Sequence, residues 1–266
     1  MKLIRKIMRV IKLAILRLKY DYEALEEQQN KIFRSIGFDR MEALELLTAK
    51  YKEFPETEDL MSEHHALFAA TSLSRDVKTV LEIGTYSASC SKLLSVLFPR
   101  AQITTIDLPD DDPVFSDTYG RDEEQSRLDF IERRNKILDS CVNVNFEQKN
   151  SLELLFNKKD KYDFIWVDGA HGYPIIAMDI VNAVSHLGRD GLIFIDDVWL
   201  KTSSDDANYK STGAFESITE LKRAGIIDFW LIPKRISFPH GKGSLKKYIA
   251  KVKHSDFTKE KYHTLP

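Results

Sequence analysis

Five acids stand where short apolar runs stop. Glu82 sits inside Val80-Leu81-Glu82-Ile83, Asp107 follows Ile103-Thr104-Thr105-Ile106, Asp168 follows Ile165-Trp166-Val167, and Asp196-Asp197 follow Ile193-Phe194-Ile195. After the first run come Gly84, Thr85, Tyr86, Ser87 and Ala88, a glycine and mostly small residues that open a helix. Such a strand–turn–helix joint lets a backbone approach a ligand closely. An acid at the end of the next strand, Asp107, accepts from a ribose diol, so the two pieces together describe a nucleoside pocket. Asn150 and Ser151 follow the third strand and could reach the same ligand, or could simply cap the next helical turn. His171 lies three residues past Asp168, close enough to face the same cleft. A neutral imidazole there can take a proton from a hydroxyl; the alternative is a histidine on a surface loop.

The elements that must position these residues alternate from Val77 onward. The pattern predicts strands at Thr79–Ile83, Gln102–Ile106, Val142–Glu147, Tyr162–Val167 and Gly191–Ile195, with helical stretches at Ser89–Leu97, Glu123–Leu138, Ser151–Phe156 and Pro174–His186. Alternation at this spacing predicts an α/β fold with a doubly wound, mostly parallel sheet, whose ligands sit at the carboxyl ends of the strands. A further helix, Phe215–Ala224, precedes a strand at Asp228–Ile232 and a late antiparallel strand near Ser244–Ile249, and the Lys-rich tail after Lys246 reads as surface. Lys201–Thr212 is long enough to be a flap, whereas Pro109–Arg121, with Asp110-Asp111-Asp112, Tyr119 and Arg121, reads as a solvated loop, with partial cover of the pocket as the alternative.

Three segments follow from this: residues 1–20 as a basic amphipathic helix, 21–76 as a helical extension, and 77–266 as the α/β domain. Residues 1–20 hold seven Lys/Arg and no acid, which leaves 32 of the 39 bases against all 41 acids in the rest. An acidic body argues against nucleic acid as a partner. The helix at residues 1–19 is too charged to span a bilayer, and it lacks the features of a secretory signal. Two readings fit it: a helix on the anionic inner face of a membrane, or a helix packed on protein, including a second copy of the chain. Two cysteines, Cys90 and Cys141, give no disulfide framework and fit a cytoplasmic protein. In the extension, Ser62 is the expected N-cap of a helix to Leu73, and His64-His65 read as its solvated start, with side chains diverging.

Over roughly Val77 to Ile249 these residues resemble class I S-adenosylmethionine-dependent methyltransferases. Glu82-Ile83-Gly84-Thr85-Tyr86-Ser87-Ala88 is similar to the nucleotide loop of catechol-type O-methyltransferases and of the methyltransferase-24 family. That family includes macrolide-sugar O-methyltransferases and cephalosporin hydroxylase-like proteins, and it usually has Gly where this chain has Ala88. The resemblance implies S-adenosylmethionine as cofactor, with Glu82 and Gly84 lining the methionine end in a loop continued by Thr85, Tyr86 and Ser87. It further implies Asp107 on the ribose, and Asn150 or Ser151 on the adenine edge. Asp168-Gly169-Ala170-His171 and Asp196-Asp197 match a second block. In metal-dependent relatives those acids hold a divalent cation, so Asp168, Asp196 and Asp197 are the implied ligands of Mg²⁺. Three hard oxygens suit that ion, which would acidify a bound hydroxyl. In sugar-modifying relatives a histidine in the Asp-Gly-x-His setting is thought to act as general base, the place of His171.

The implied activity is Mg²⁺-assisted O-methylation of a sugar or glycoconjugate hydroxyl. A catechol-like or other natural-product hydroxyl is the alternative, as is a non-methylating relative that keeps the cofactor pocket. A nicotinamide dehydrogenase is disfavoured, because Gly84 stands alone where a G-x-G-x-x-G would be needed.

Overall fold

The computed structural model describes residues 22–50, 62–156, 160–202, 211–235 and 247–256. The expected helix at 1–20 and most of the expected flap, 203–210, lie outside them. Helices α1 (Tyr22–Ser35), α2 (Arg40–Lys50) and α3 (His64–Ser74) lead into β1 (Thr79–Ile83), α4 (Ser89–Leu97), β2 (Gln102–Asp107), α5 (Pro113–Asp117) and α6 (Glu124–Asp139). There follow β3 (Val144–Gln148), a 3-10 turn (Ser151–Phe156), β4 (Tyr162–Val167), α7 (Ile175–His186), β5 (Leu187–Trp199), α8 (Gly213–Arg223), β6 (Ile227–Pro233) and β7 (Lys247–His254).

The seven strands form one sheet in the order β3-β2-β1-β4-β5-β7-β6. β1 to β5 pair in parallel, while β7 runs antiparallel to both β5 and β6. This is the expected doubly wound sheet with its late antiparallel strand. Strand periodicity of two divides the core cleanly. Phe164, Trp166, Leu192 and Phe194 face a layer containing α1 to α4, with Phe33, Phe38 and Phe68 packed among them. Ile165, Val167, Ile193 and Ile195 face the opposite layer, which includes Ile176 and Ile180 of α7 and Ile218 of α8.

Several expectations need correction. β5 does not stop at Ile195. Its pairing with β4 ends there, but pairing with β7 resumes at Val198 and Trp199 after a register shift. Asp196 and Asp197 therefore occupy a bulge inside a strand, and Asp197 takes the left-handed φ of 49°. Residues 247–254 are no surface tail, since Ile249, Ala250 and Val252 of β7 are fully buried between two partner strands. The 109–121 segment is anchored at several points, although Val114 and Tyr119 remain exposed. Asp110 takes a two-pronged ion pair from Arg134, at 2.6 and 2.9 Å, and Phe115 and Arg121 are buried. Ser62 does not cap α3, because the helix begins one residue later than that role requires and the Ser62 hydroxyl meets His64 Nδ1 at 2.6 Å. The His64 and His65 rings do not diverge: their centroids are 4.0 Å apart, and His64 also stacks on Trp166.

Candidate active site

The carboxyl ends of β1, β2, β4 and the β5 bulge converge, and the turn after β1 sits at their centre. Gly84 has φ +103°, a conformation that L side chains rarely adopt. A Cβ there would lie 2.4 Å from the Asp168 carbonyl oxygen. Glycine thus lets β1 and the β4 end touch. Past it, Tyr86 and Ala88 also take positive φ, 45° and 61°, folding the turn back over the end of β2. The Tyr86 N–H donates to Asp107 Oδ2 at 2.7 Å and the Leu108 N–H to Oδ1 at 2.8 Å. Asp107 is half-buried, and burial raises its carboxyl above the usual range against those backbone donors. A half-buried carboxylate beside a turn that opens on a glycine fits a ribose diol, whose hydroxyls it can accept from, and the chain linked to it.

Not every expected contact is there. Glu82 is 0% exposed and lies beneath the turn, where its carboxyl accepts from the hydroxyls of Ser91 and Thr105. Its carboxyl is held in the packing of β1, β2 and α4. Thr85 is likewise buried, 2.6 Å from the Thr105 hydroxyl. Ser87 stays in the turn, with its hydroxyl 3.0 Å from that of Ser89. Tyr86 is exposed, and its ring lies near Tyr119 and Phe130, with the Arg121 guanidinium 3.9 Å from the Phe115 centroid. Asn150 Oδ1 accepts from the Leu152 N–H at 3.0 Å, the capping alternative. The Ser151 hydroxyl donates to Asp179 at 2.6 Å. Burial raises Asp179 to about 6, which the Ser151 hydroxyl opposes.

The second block does assemble. His171 Nε2 lies 3.8 Å from Asp168 Oδ1 and 3.9 Å from Asp197 Oδ2. Burial lowers the imidazole below its usual range, although Asp197 and Asp196 pull it upward. Burial and the neighbouring Asp196 carboxylate hold Asp168 well above the ordinary carboxylate range, against the pull of the Lys234 ammonium. Asp197 is held well below that range by the ammonium groups of Lys234 and Lys247 and by His171, which outweigh its burial. Sequence reasoning missed both lysines. Lys234, just past β6, donates to Asp196 Oδ2 and, at 2.7 Å, to Asp197 Oδ1, and Lys247 of β7 donates to Asp197 Oδ2.

This arrangement does not fit the implied Mg²⁺. Both oxygens of Asp197 and one of Asp196 are taken by ammonium groups. Among the described residues no group of His, Cys, Asp or Glu side chains has a metal-holding arrangement. A divalent ion about 4 Å from one ammonium would be repelled by about 8 kcal/mol at an effective dielectric of 20.

Residues 81–198 match the family model of the methyltransferase-24 family, described as a methyltransferase domain. The chain carries a methyltransferase domain. It is a class I, S-adenosylmethionine-dependent enzyme, and the matched span runs from β1 through the acid pair of β5. The methyltransferase shares its fold with a candidate O-methyltransferase from Klebsiella pneumoniae, at 14% identity, TM-score 0.52, covering 86% of this chain and 97% of that one. It shares it also with cofactor-bound Rv0187 from MTB, at 15% identity, TM-score 0.51, covering 80% and 90% respectively. No curated protein matches the chain. Among the described residues no helix is long and apolar enough to cross a membrane.

Proposed function

We propose that this methyltransferase methylates a hydroxyl of a sugar or glycoconjugate, with His171 removing the hydroxyl proton. The observation supporting the reading is the imidazole itself. It stands within 4 Å of Asp168 and Asp197, beside the Gly84 turn, and burial keeps it neutral near pH 7. The sugar class rests on Asp168-Gly169-Ala170-His171, which is similar to the block of sugar-modifying relatives.

S-adenosylmethionine, when bound, supplies a methyl group on a positively charged sulfur. The chain's own part is placement and proton removal. Asp107 would accept from the ribose hydroxyls, and the Gly84 turn would leave room for the cofactor's chain to pass. His171 Nε2 accepts the acceptor's proton while the oxygen lone pair forms the new O–CH3 bond and the S–CH3 bond breaks. The products are a methyl ether, a neutral thioether and an imidazolium that the Asp197 carboxylate stabilises. Magnesium takes no step here, since Lys234 and Lys247 hold the carboxylates it would need.

The test joins calorimetric titration of S-adenosylmethionine and S-adenosylhomocysteine, with NAD as control, to labelled-methyl transfer onto a sugar panel. Micromolar binding of the sulfur pair and label on a sugar are expected. His171→Gln should lower turnover by about 10²- to 10⁴-fold and leave S-adenosylhomocysteine affinity unchanged. Equal loss of both would remove His171 from the chemistry.

A further inference from the structure

We propose that Lys234 is the resident cation of the Asp168/Asp196/Asp197 cluster, a positioning residue that holds Asp196 and Asp197 in place of a divalent ion and keeps metal out. The inference rests on the methyl-transfer reading for its purpose, but its test counts bound metal and so stands or falls independently.

The argument is the way the lysine is delivered. Its side chain is only 9% exposed, and its backbone is fixed from three sides. The Lys234 N–H donates to the Lys247 carbonyl at 3.0 Å, and its own carbonyl accepts from the Glu63 N–H at 2.8 Å. The carbonyl of the preceding Pro233 accepts from Gln29 Nε2 of α1 at 3.0 Å. Glu63 is in turn gripped by both prongs of Arg40, at 2.7 and 3.0 Å. Strand β7, the start of α3 and α1 therefore converge on a single residue whose ammonium ends between two carboxylates. Lys247 completes the arrangement on the far oxygen of Asp197, its ammonium 5.1 Å from the Trp199 ring centroid.

Asp197 Oδ1 and Oδ2 and Asp196 Oδ2 each already accept from an ammonium group, so a divalent ion ligated by them would stand against one or two like charges at close range. The remaining buried oxygen, Asp196 Oδ1, has no hydrogen-bond partner among the described residues, and any cation drawn to it would sit beside the Lys234 ammonium on Oδ2. A single ammonium lacks the Lewis acidity of a divalent ion, so it cannot acidify a bound hydroxyl as Mg²⁺ does. Proton removal then falls on His171.

The experiment measures Mn²⁺ bound to the full chain with S-adenosylhomocysteine present, by electron paramagnetic resonance at submillimolar Mn²⁺. The readout is the bound equivalent that Asp196→Asn removes. Wild type should show none. Lys234→Met should gain one equivalent, which Lys234→Met/Asp196→Asn loses again, and Lys234→Arg, which restores a cation, should show none. One equivalent in wild type that Asp196→Asn abolishes would overturn the proposal, as would no gain in a folded Lys234→Met. Lys234→Gln serves as a second neutral variant, and if neither folds, the comparison of wild type with Asp196→Asn decides alone. Failure of labelled-methyl transfer would count against the proposed function and leave this readout intact.

Discussion

Burial raises the Glu82 carboxyl from 4.5 to about 7, against the pull of the Ser91 and Thr105 hydroxyls. A raised value in the folded state means that the unfolded chain gives up this proton first as pH climbs. The contribution of Glu82 to stability is thus full below about pH 4.5 and falls away through about pH 7, by about 3 kcal/mol at 1.36 kcal/mol for each pKa unit. Glu82→Gln should remove that slope. Its urea midpoint should change less between pH 5 and 8 than that of wild type, and an identical slope would show that Glu82 ionises freely in the folded protein. The same residue shows where reading single side chains from sequence stops. Asp107, Asp168, Asp196 and Asp197 could be found because each follows an apolar run. Glu82 carried the same signal one residue inside such a run, and strand alternation turned it into the sheet. Lys234 gave no signal, because it meets Asp197 from 37 positions away through a strand order that no local pattern encodes.

Strand and helix bounds were legible where an apolar run or apolar stripe begins and ends with the element itself. β1, β4 and α4 run from the first to the last expected residue. β5 was misjudged because its last two residues, Val198 and Trp199, pair with β7 about fifty positions away, beyond the Asp196-Asp197 bulge. The turn after β1 is where this level of structure can be tested. Gly84→Ala puts a methyl 2.4 Å from the Asp168 carbonyl oxygen and 2.6 Å from its carbon, at a φ of +103°. Neither backbone can yield without parting β1 from the end of β4, whose Asp168 N–H donates to the Ile83 carbonyl at 2.9 Å. The variant should lose stability on the order of 2–4 kcal/mol. Its affinity for S-adenosylhomocysteine should fall with it, since the same turn flanks Asp107. A full-strength binding isotherm from Gly84→Ala would mean that the cofactor does not pass over this turn.

The helical extension appeared in the sequence as a separate segment, because its periodicity shows which faces are apolar but not what they cover. In the folded protein Phe33, Ile36, Phe38 and Phe68 share one core with Val80, Phe164, Phe194 and Ile249. Arg40 and Glu63 bridge its parts at 4% and 6% exposure, and Lys251 of β7 donates to the Ile36 carbonyl. A chain begun at Ser62 would strip one face of the sheet and leave Glu63 buried without its guanidinium, the latter alone costing about 3–5 kcal/mol. It should show no cooperative thermal transition. A chain begun at Asp21 keeps every contact named above and should melt as the full chain does. The same shorter chain isolates the seven bases of residues 1–20. We propose that these hold the enzyme at an anionic membrane surface, each adding about 1 kcal/mol of attraction. In flotation with vesicles rich in phosphatidylserine, the full chain should rise and the chain begun at Asp21 should stay below, with high salt abolishing the difference. Equal flotation of the two would assign residues 1–20 to protein packing, and a matching loss of melting temperature in the shorter chain would assign them to this fold's own core.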